Sequence, residues 1–305
     1  MKGTVAPVLK HRHETMMDVR SILGGLAFAF MWSSAFTSAR ILVTNAPPLS
    51  VSALRFFIAG VIAVAIARAM GQNWNLTREQ WKLTILFGVC QNALYLGLNF
   101  VAMQTIEASL AAIIASTLPL LVALAGWLIW REQIRPLGIM GLVAGIAGVM
   151  LIMGTRLSAG VDLFGVVLCS LGALALTFAT LALRGASSGG NLLMVVGLQM
   201  LVGSAALIGP ALLFETWEVN WTPQVIAAFL YTVFVPGLIA TILWFWLVRR
   251  IGTVRAATFH FLNPFLGVAV AAVLLGERLG PLDVIGVTII TLGILAVQLS
   301  KPVAR

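Results

Sequence analysis

The 305-residue chain is 60% apolar, contains a further 29 glycines and is only 10% charged. A soluble domain carries about a quarter charged residues to present a water-facing shell, so a soluble enzyme or a nucleic-acid-binding module is excluded. The net charge of +9 needs no nucleic-acid partner, because lysine and arginine in an apolar chain mark the side on which loops stay. Cys90 and Cys169 both sit inside apolar runs and make no disulfide framework.

Residues 1–20 form a basic, polar tail. Its His11, His13 and Glu14 lie in HRHETMM, which lacks the second histidine of a metalloprotease helix, so neither a metal nor any other cofactor is expected. A bilayer span needs about 20 mostly apolar residues, and the first runs from Ser21 to Leu42. It is too long for a secretory signal and no small-x-small cleavage site follows, which predicts a retained helix. Trp32, Ser33 and Thr37 fall near its middle, too deep for an interfacial belt. The second span, Ser50 to Ala67, carries Arg55 about five residues from its start. The favoured reading is a side chain that snorkels outward; the alternative is a guanidinium fork for a carboxylate.

The third span, Trp81 to Met103, holds Gln91, Asn92, Tyr95 and Asn99, a spacing that gathers them on one helical face. Amides are costly against lipid, so the face points inward, as a substrate wall or as interhelical hydrogen bonds. The fourth span, Ala108 to Trp130, contains Ser116 and Pro119. On the fifth, Leu137 to Met153, Gly138, Gly141, Gly145 and Gly148 form a stripe for close helix packing; a dimer interface is the alternative use.

Spans six to eight run from Leu163 to Leu183, Leu192 to Leu213 and Pro223 to Leu247, the last bearing Trp244 and Trp246 near its end. The ninth, Ala256 to Leu275, carries Thr258, His260, Asn263 and Pro264. His260 is the one histidine outside the tail, either a protonatable functional group or a neutral, hydrogen-bonded one. The tenth, Leu282 to Leu299, leaves a short tail at 300–305. Trp74, Trp81, Trp127, Trp130, Trp217 and Trp221 suit the interfacial belts. Lipid offers backbone groups no water, so helices are the expected form.

A cytoplasmic N-terminus puts 15 of the 19 basic residues inside and leaves Arg40, Arg55, Arg156 and Arg278 outside. Glu107, Asp162, Glu215, Glu218, Glu277 and Asp283 then lie outside. The bias predicts both termini in the cytoplasm.

Shifting the chain by 145 residues aligns Phe100–Met150 with Phe245–Leu295 without a gap and matches Pro119 with Pro264, Glu132 with Glu277, Pro136 with Pro281, Gly141 with Gly286 and Gly148 with Gly293. The chain therefore reads as two repeats of five helices, 21–153 and 163–299. Five is odd, so the second repeat enters the membrane from the opposite side, an arrangement that places substrate near the midplane between the halves.

These residues resemble the EamA family of the drug/metabolite transporter superfamily. The resemblance rests on the two five-helix halves, Trp32-Ser33-Ser34-Ala35-Phe36, Arg55-Phe56 and the paired segments Pro119–Glu132 and Pro264–Glu277. One departure stands out: Arg131 precedes Glu132 where Gly276 precedes Glu277. The resemblance implies an all-α integral membrane transporter of ten spans, working on a small molecule from within the lipid bilayer. In size and style it is similar to bacterial exporters of aromatic amino acids.

No phosphate-binding GxxxxGK[ST] loop occurs, and the middles of the spans lack Asp and Glu, so neither direct ATP drive nor a carboxylate proton relay is expected. The residues expected at a substrate cavity are Trp32, Ser33, Gln91, Tyr95, Asn99, Ser116, Trp244, His260 and Asn263, with Pro119 and Pro264 as kinks or gates and Arg55 as a carboxylate contact. That set suits a neutral or aromatic amino acid, exported across a bacterial inner membrane by a facilitator or exchanger. A proton-coupled exporter of drugs, nucleosides or other metabolites is the alternative, and an intramembrane enzyme the remote one. A monomer is expected, with a homodimer as the other possibility.

Overall fold

The computed structural model describes residues 18–131, 133–182 and 190–300. The expectations for His11, His13, Glu14, Glu132 and the terminal residues 301–305 lie outside these, as does the side chain of Trp130.

Among the described residues all regular structure is helical, and ten helices are long and apolar enough to cross a membrane. They are α1 (Val19–Val43), α2 (Pro48–Ala69), α3 (Arg78–Ala102), α4 (Ala108–Ile129), α5 (Pro136–Ser158), α6 (Leu163–Ala182), α7 (Leu192–Phe214), α8 (Pro223–Ile251), α9 (Arg255–Leu275) and α10 (Pro281–Ser300). Proline opens α2, α5, α8 and α10, where its missing N–H would have had no intrahelical partner. Asp18 caps α1 by accepting from the Ser21 N–H at 3.1 Å, and Thr77 with Gln80 closes a capping box on α3.

Glycine brings counterpart helices together. A Cβ on Gly141 of α5 would lie 2.6 Å from the Gly293 carbonyl oxygen of α10, and one on Gly148 would lie 2.9 Å from that of Gly286. The two helices are therefore antiparallel, and their backbones touch where any side chain would intervene. The pairing is also reciprocal. Under the 145-residue shift Gly141 corresponds to Gly286 and Gly148 to Gly293, so each glycine meets the counterpart of the other, as a two-fold relation requires. The stripe expected either for packing or for a dimer is thus occupied by α10, which leaves it no face for a second copy.

Helices α2 and α7 are likewise antiparallel, with Gly60 against Gly197 and the Ser204 hydroxyl donating to the Ala53 carbonyl at 2.8 Å. The other major contacts come in pairs five helices apart: α1 packs on α8 and α9, as α6 packs on α3 and α4.

The bundle is packed unevenly along its length. Alternating helices put the start of α1 and the ends of α6 and α10 at one end, called here the near end. At the far end Leu42, Val51, Met103, Ile106 and Leu110 are all at most 1% exposed and belong to one large cluster. The near end holds a small cluster around Phe28, Leu247 and Ala256. Outward-facing Leu212, Leu213, Phe214 and Val273 are about four-fifths exposed, as suits a surface solvated by lipid rather than water.

Candidate functional site

Four irregular helices meet between the halves. In α3 the segment Gly88–Leu96 winds as a π-helix, a widened turn that frequently marks functional positions. In α8 Val233–Ile239 does the same around Pro236. Helix α4 breaks at Thr117 and resumes at Leu118 with Pro119 in its first turn, while α9 passes through a tight 3-10 turn, Phe259–Leu262, before resuming at Asn263 with Pro264. Proline supplies no N–H to the preceding turn, so both helices are interrupted at equivalent points.

Two cavities open around these interruptions. The larger, about 300 Å³, is lined by Ser116, Pro119, His260 and Asn263 and reaches Thr180 and Gln298 in the last turns of α6 and α10, at the near end. The smaller, about 80 Å³, lies towards the far end and is lined by Arg55, Gln91, Asn92 and Asn99, with Thr241 on the opposite wall. Trp32, Phe36 and Tyr95 belong to both linings and form the partition. Among the described lining residues there is no aspartate or glutamate, and Arg55 is the one formally charged side chain.

Arg55 does not snorkel. It is 6% exposed, and its guanidinium carbon lies 4.1 Å from the Phe56 ring centre and 4.4 Å from that of Phe100. Helix α2 starts at Pro48 and packs inward from its first turn, so the side chain has protein rather than interface around it.

The polar face of α3 divides its duties. Asn92 donates to the Gln199 carbonyl of α7 at 2.9 Å, Asn99 donates to the Tyr95 carbonyl at 2.7 Å, and the Asn99 side-chain oxygen accepts from the Cys169 thiol at 3.2 Å. These bonds hold α3 to α7 and α6, so part of the face is interhelical bonding, while Gln91 and the Tyr95 ring are left against the cavities.

Around His260 an aromatic box forms, with Trp244 at 5.1 Å, Phe28 at 5.2 Å and Trp32 at 6.1 Å between ring centres. Asn263 donates from Nδ2 to His260 Nδ1 at 2.9 Å, and its side-chain oxygen accepts from the Ser33 hydroxyl at 3.3 Å. An imidazole that accepts at Nδ1 carries its proton on Nε2 and is neutral. Ser116 donates to the Ala112 carbonyl at 2.6 Å.

The structure therefore brings Trp32, Arg55, Gln91, Tyr95, Asn99, Ser116, Pro119, His260 and Asn263 to the cavity walls. It keeps two of the expected cavity residues, Ser33 and Trp244, off them. Ser33 stands behind Asn263, Trp244 packs directly on His260 and on Phe28, and Pro264, expected as a kink or gate, is buried in α9. Phe36, Thr180, Thr241 and Gln298 line the cavities without having been expected. Gln298, an amide in the last turn of an apolar helix, carried a signal; the others look like ordinary core residues in sequence.

Polar cross-links join the halves at the far end. Arg156 of α5 bridges Glu107 at 2.5 Å and Asp283 of α10 at 3.1 Å. Glu277 accepts from the Ala108 and Ser109 N–H groups at 2.7 and 2.9 Å, and Glu215 from those of Leu49 and Ser50 at 2.8 and 2.7 Å. Each places a carboxylate at a helix N-terminus, where the dipole favours it. The Thr105 hydroxyl, helped by the Gly165 and Phe164 N–H groups, holds the Asp162 carboxyl below its usual range. At the near end the described ion pair is Arg250 with Asp18, whose carboxyl Arg250 and Ser21 hold far below the usual range. Among the described residues no three His, Cys, Asp or Glu side chains gather as a metal site.

The EamA-like transporter family matches the chain twice, over residues 19–154 and 163–299. The uncharacterized transporter YvbV of Bacillus subtilis is 25% identical over 83% of this chain and 84% of its own length. The uncharacterized inner membrane transporter YedA of Escherichia coli K12 is 25% identical over 92% of this chain and 91% of its own. A solved crystal structure superposes with a TM-score of 0.66 at 21% identity, covering 92% of this chain and 98% of that one, a likeness of fold.

Proposed function

Because the chain belongs to the EamA-like transporter family, we propose that it moves a small metabolite outward across a bacterial inner membrane by alternating access. Amino acids with neutral or aromatic side chains are the leading substrates. The observation that carries this reading is the pair of cavities between the halves. They share Trp32, Phe36 and Tyr95 as walls, and the larger reaches the near end, while the far end is packed and cross-linked.

With the near end cytoplasmic, this is a conformation from which substrate is taken up on the inside. Two five-helix halves in opposite senses let the same contacts serve either opening at similar free energy. The sockets at Tyr95, Gln91 and the Trp32–His260 box offer aromatic faces and a few hydrogen bonds, which suits a small amphipathic molecule.

The neutral His260 and the carboxylate-free cavity favour a facilitator or exchanger. One observation favours the proton-coupled alternative: His260 lines the larger cavity. The test is flux of radiolabelled amino acids in proteoliposomes. Saturable flux, competed by unlabelled substrate and by no more than a few of the panel, supports the reading. Absence of saturable flux across neutral and aromatic amino acids overturns the substrate class, and unsaturable flux overturns the transporter mechanism.

A further inference from the structure

We propose that Arg55 is the docking point for the carboxylate of the transported molecule, so that the substrate class is the organic monocarboxylate and an amino group is tolerated rather than required. The inference rests on the transporter reading above and names what its cavity selects.

Nε and Nη2 of Arg55 are fully buried and have no hydrogen-bond partner. The side chain is more than nine-tenths buried, and it lines the smaller cavity. Buried polar groups are almost always paired, and an exception calls for an explanation. Phe56 and Phe100 give the guanidinium aromatic faces, which attract a cation but accept none of its N–H bonds. A carboxylate supplies what is missing, a negative charge and acceptors in the plane of the fork.

The rest of the cavity says what else the molecule carries. Among the described residues no aspartate or glutamate lines either cavity, so an ammonium would find only neutral oxygens, such as those of Gln91, Tyr95 and Thr241. The side-chain N–H groups of Asn92 and Asn99 are committed to the Gln199 and Tyr95 carbonyls, so they do not compete with Arg55 for a carboxylate. One guanidinium neutralises one negative charge, and among the described lining residues no second formally charged side chain balances a phosphate dianion. Past the Trp32–Tyr95 partition the larger cavity takes an apolar or aromatic portion. The carboxylate is thus matched by charge and the amine is not, which makes the acid the determinant of selection.

The test is equilibrium dialysis with the detergent-purified full chain, using 3-phenylpropionate, its amide 3-phenylpropionamide, L-phenylalanine and phenyl phosphate. The wild type is expected to bind the two carboxylates saturably and the amide about tenfold or more weakly. Arg55→Gln is expected to lose the preference for acid over amide, and Arg55→Lys to keep part of it. The acid–amide comparison on the wild type stands even if the variants fail to fold. Equal binding of acid and amide, no saturable binding of either carboxylate, or preference for phenyl phosphate overturns the inference. A protein that transports amides as well as acids remains a transporter without this selectivity. One that binds the acids through Arg55 yet passes nothing keeps the site and loses the transport reading.

Discussion

Glu277, just beyond α9, holds the Ala108 and Ser109 N–H groups that open α4, at 2.7 and 2.9 Å. One carboxylate thereby ties the end of α9 in the second half to the start of α4 in the first, at the far end. Hydrogen bonds to a charged group contribute about 1.5–3 kcal/mol each, so Glu277→Ala, which removes two, is expected to lower stability by about 3 kcal/mol or more in a urea titration. It should also loosen the far end: a cysteine placed at Ala39, 1% exposed, should react faster with a membrane-impermeant maleimide when Glu277 is replaced. Unchanged labelling would show that the contact does not hold this end closed.

Arg131 ends α4 in the left-handed conformation, φ 54°, and is the one non-glycine residue with positive φ among those described. Its counterpart, Gly276, ends α9 at φ 67°. Left-handed backbone costs a side-chain-bearing residue about 1–2 kcal/mol. Arg131→Gly is therefore expected to stabilise the protein by about 1 kcal/mol, read as a higher denaturation midpoint, whereas Gly276→Arg should lower it.

Replacing Gly293 by Ala places a Cβ 2.6 Å from the Gly141 carbonyl oxygen and 2.7 Å from the Gly145 nitrogen. Backbone cannot swing aside, so α5 and α10 must separate, at about 1–3 kcal/mol. Gly154→Ala, with nothing within 4 Å, should be neutral or slightly stabilising. Equal effects of the two in thermal unfolding would contradict the close seam.

Asp162 binds a proton less readily folded than unfolded, because the Thr105 hydroxyl and two N–H groups hold its carboxyl below the usual range. Its contribution is complete above the unfolded value, about pH 4, and fades as pH falls through the lower folded value. The unfolding midpoints of wild type and Asp162→Asn should therefore differ at pH 6 and converge as pH is lowered below 4.

His260 accepts from Asn263 and needs no proton to complete its bonding. Counterflow of labelled substrate in liposomes is expected to run equally with and without an imposed pH gradient, and His260→Gln, which still accepts a hydrogen bond, should retain most of the rate. Accumulation that appears only with the gradient would point to proton coupling.

Ten spans were legible because each is a long apolar run, and the match of Gly141 with Gly286 and of Gly148 with Gly293 under a 145-residue shift is what suggests two repeats. The glycine stripe revealed close packing but not its partner, since a stripe looks the same whether it faces α10 or another chain. Arg55 was misplaced because counting from the span's start measures depth, not which neighbours surround a side chain. The Arg156 bridge to Glu107 and Asp283 joins residues 49 and 127 positions apart, and no local pattern foretells it. The π-helical turn in α3 was equally hidden, although the spacing of Gln91, Asn92, Tyr95 and Asn99 tolerates it: a wider turn keeps i and i+4 neighbours.

In the alternating access proposed above, the reciprocal seam between α5 and α10 would act as a fixed axle. A rocking motion that exchanges the two openings displaces least the atoms lying on the line about which the halves turn. Probes attached near Gly145 and Gly293 should therefore report almost no distance change between states in which Trp32 and Tyr95 separate.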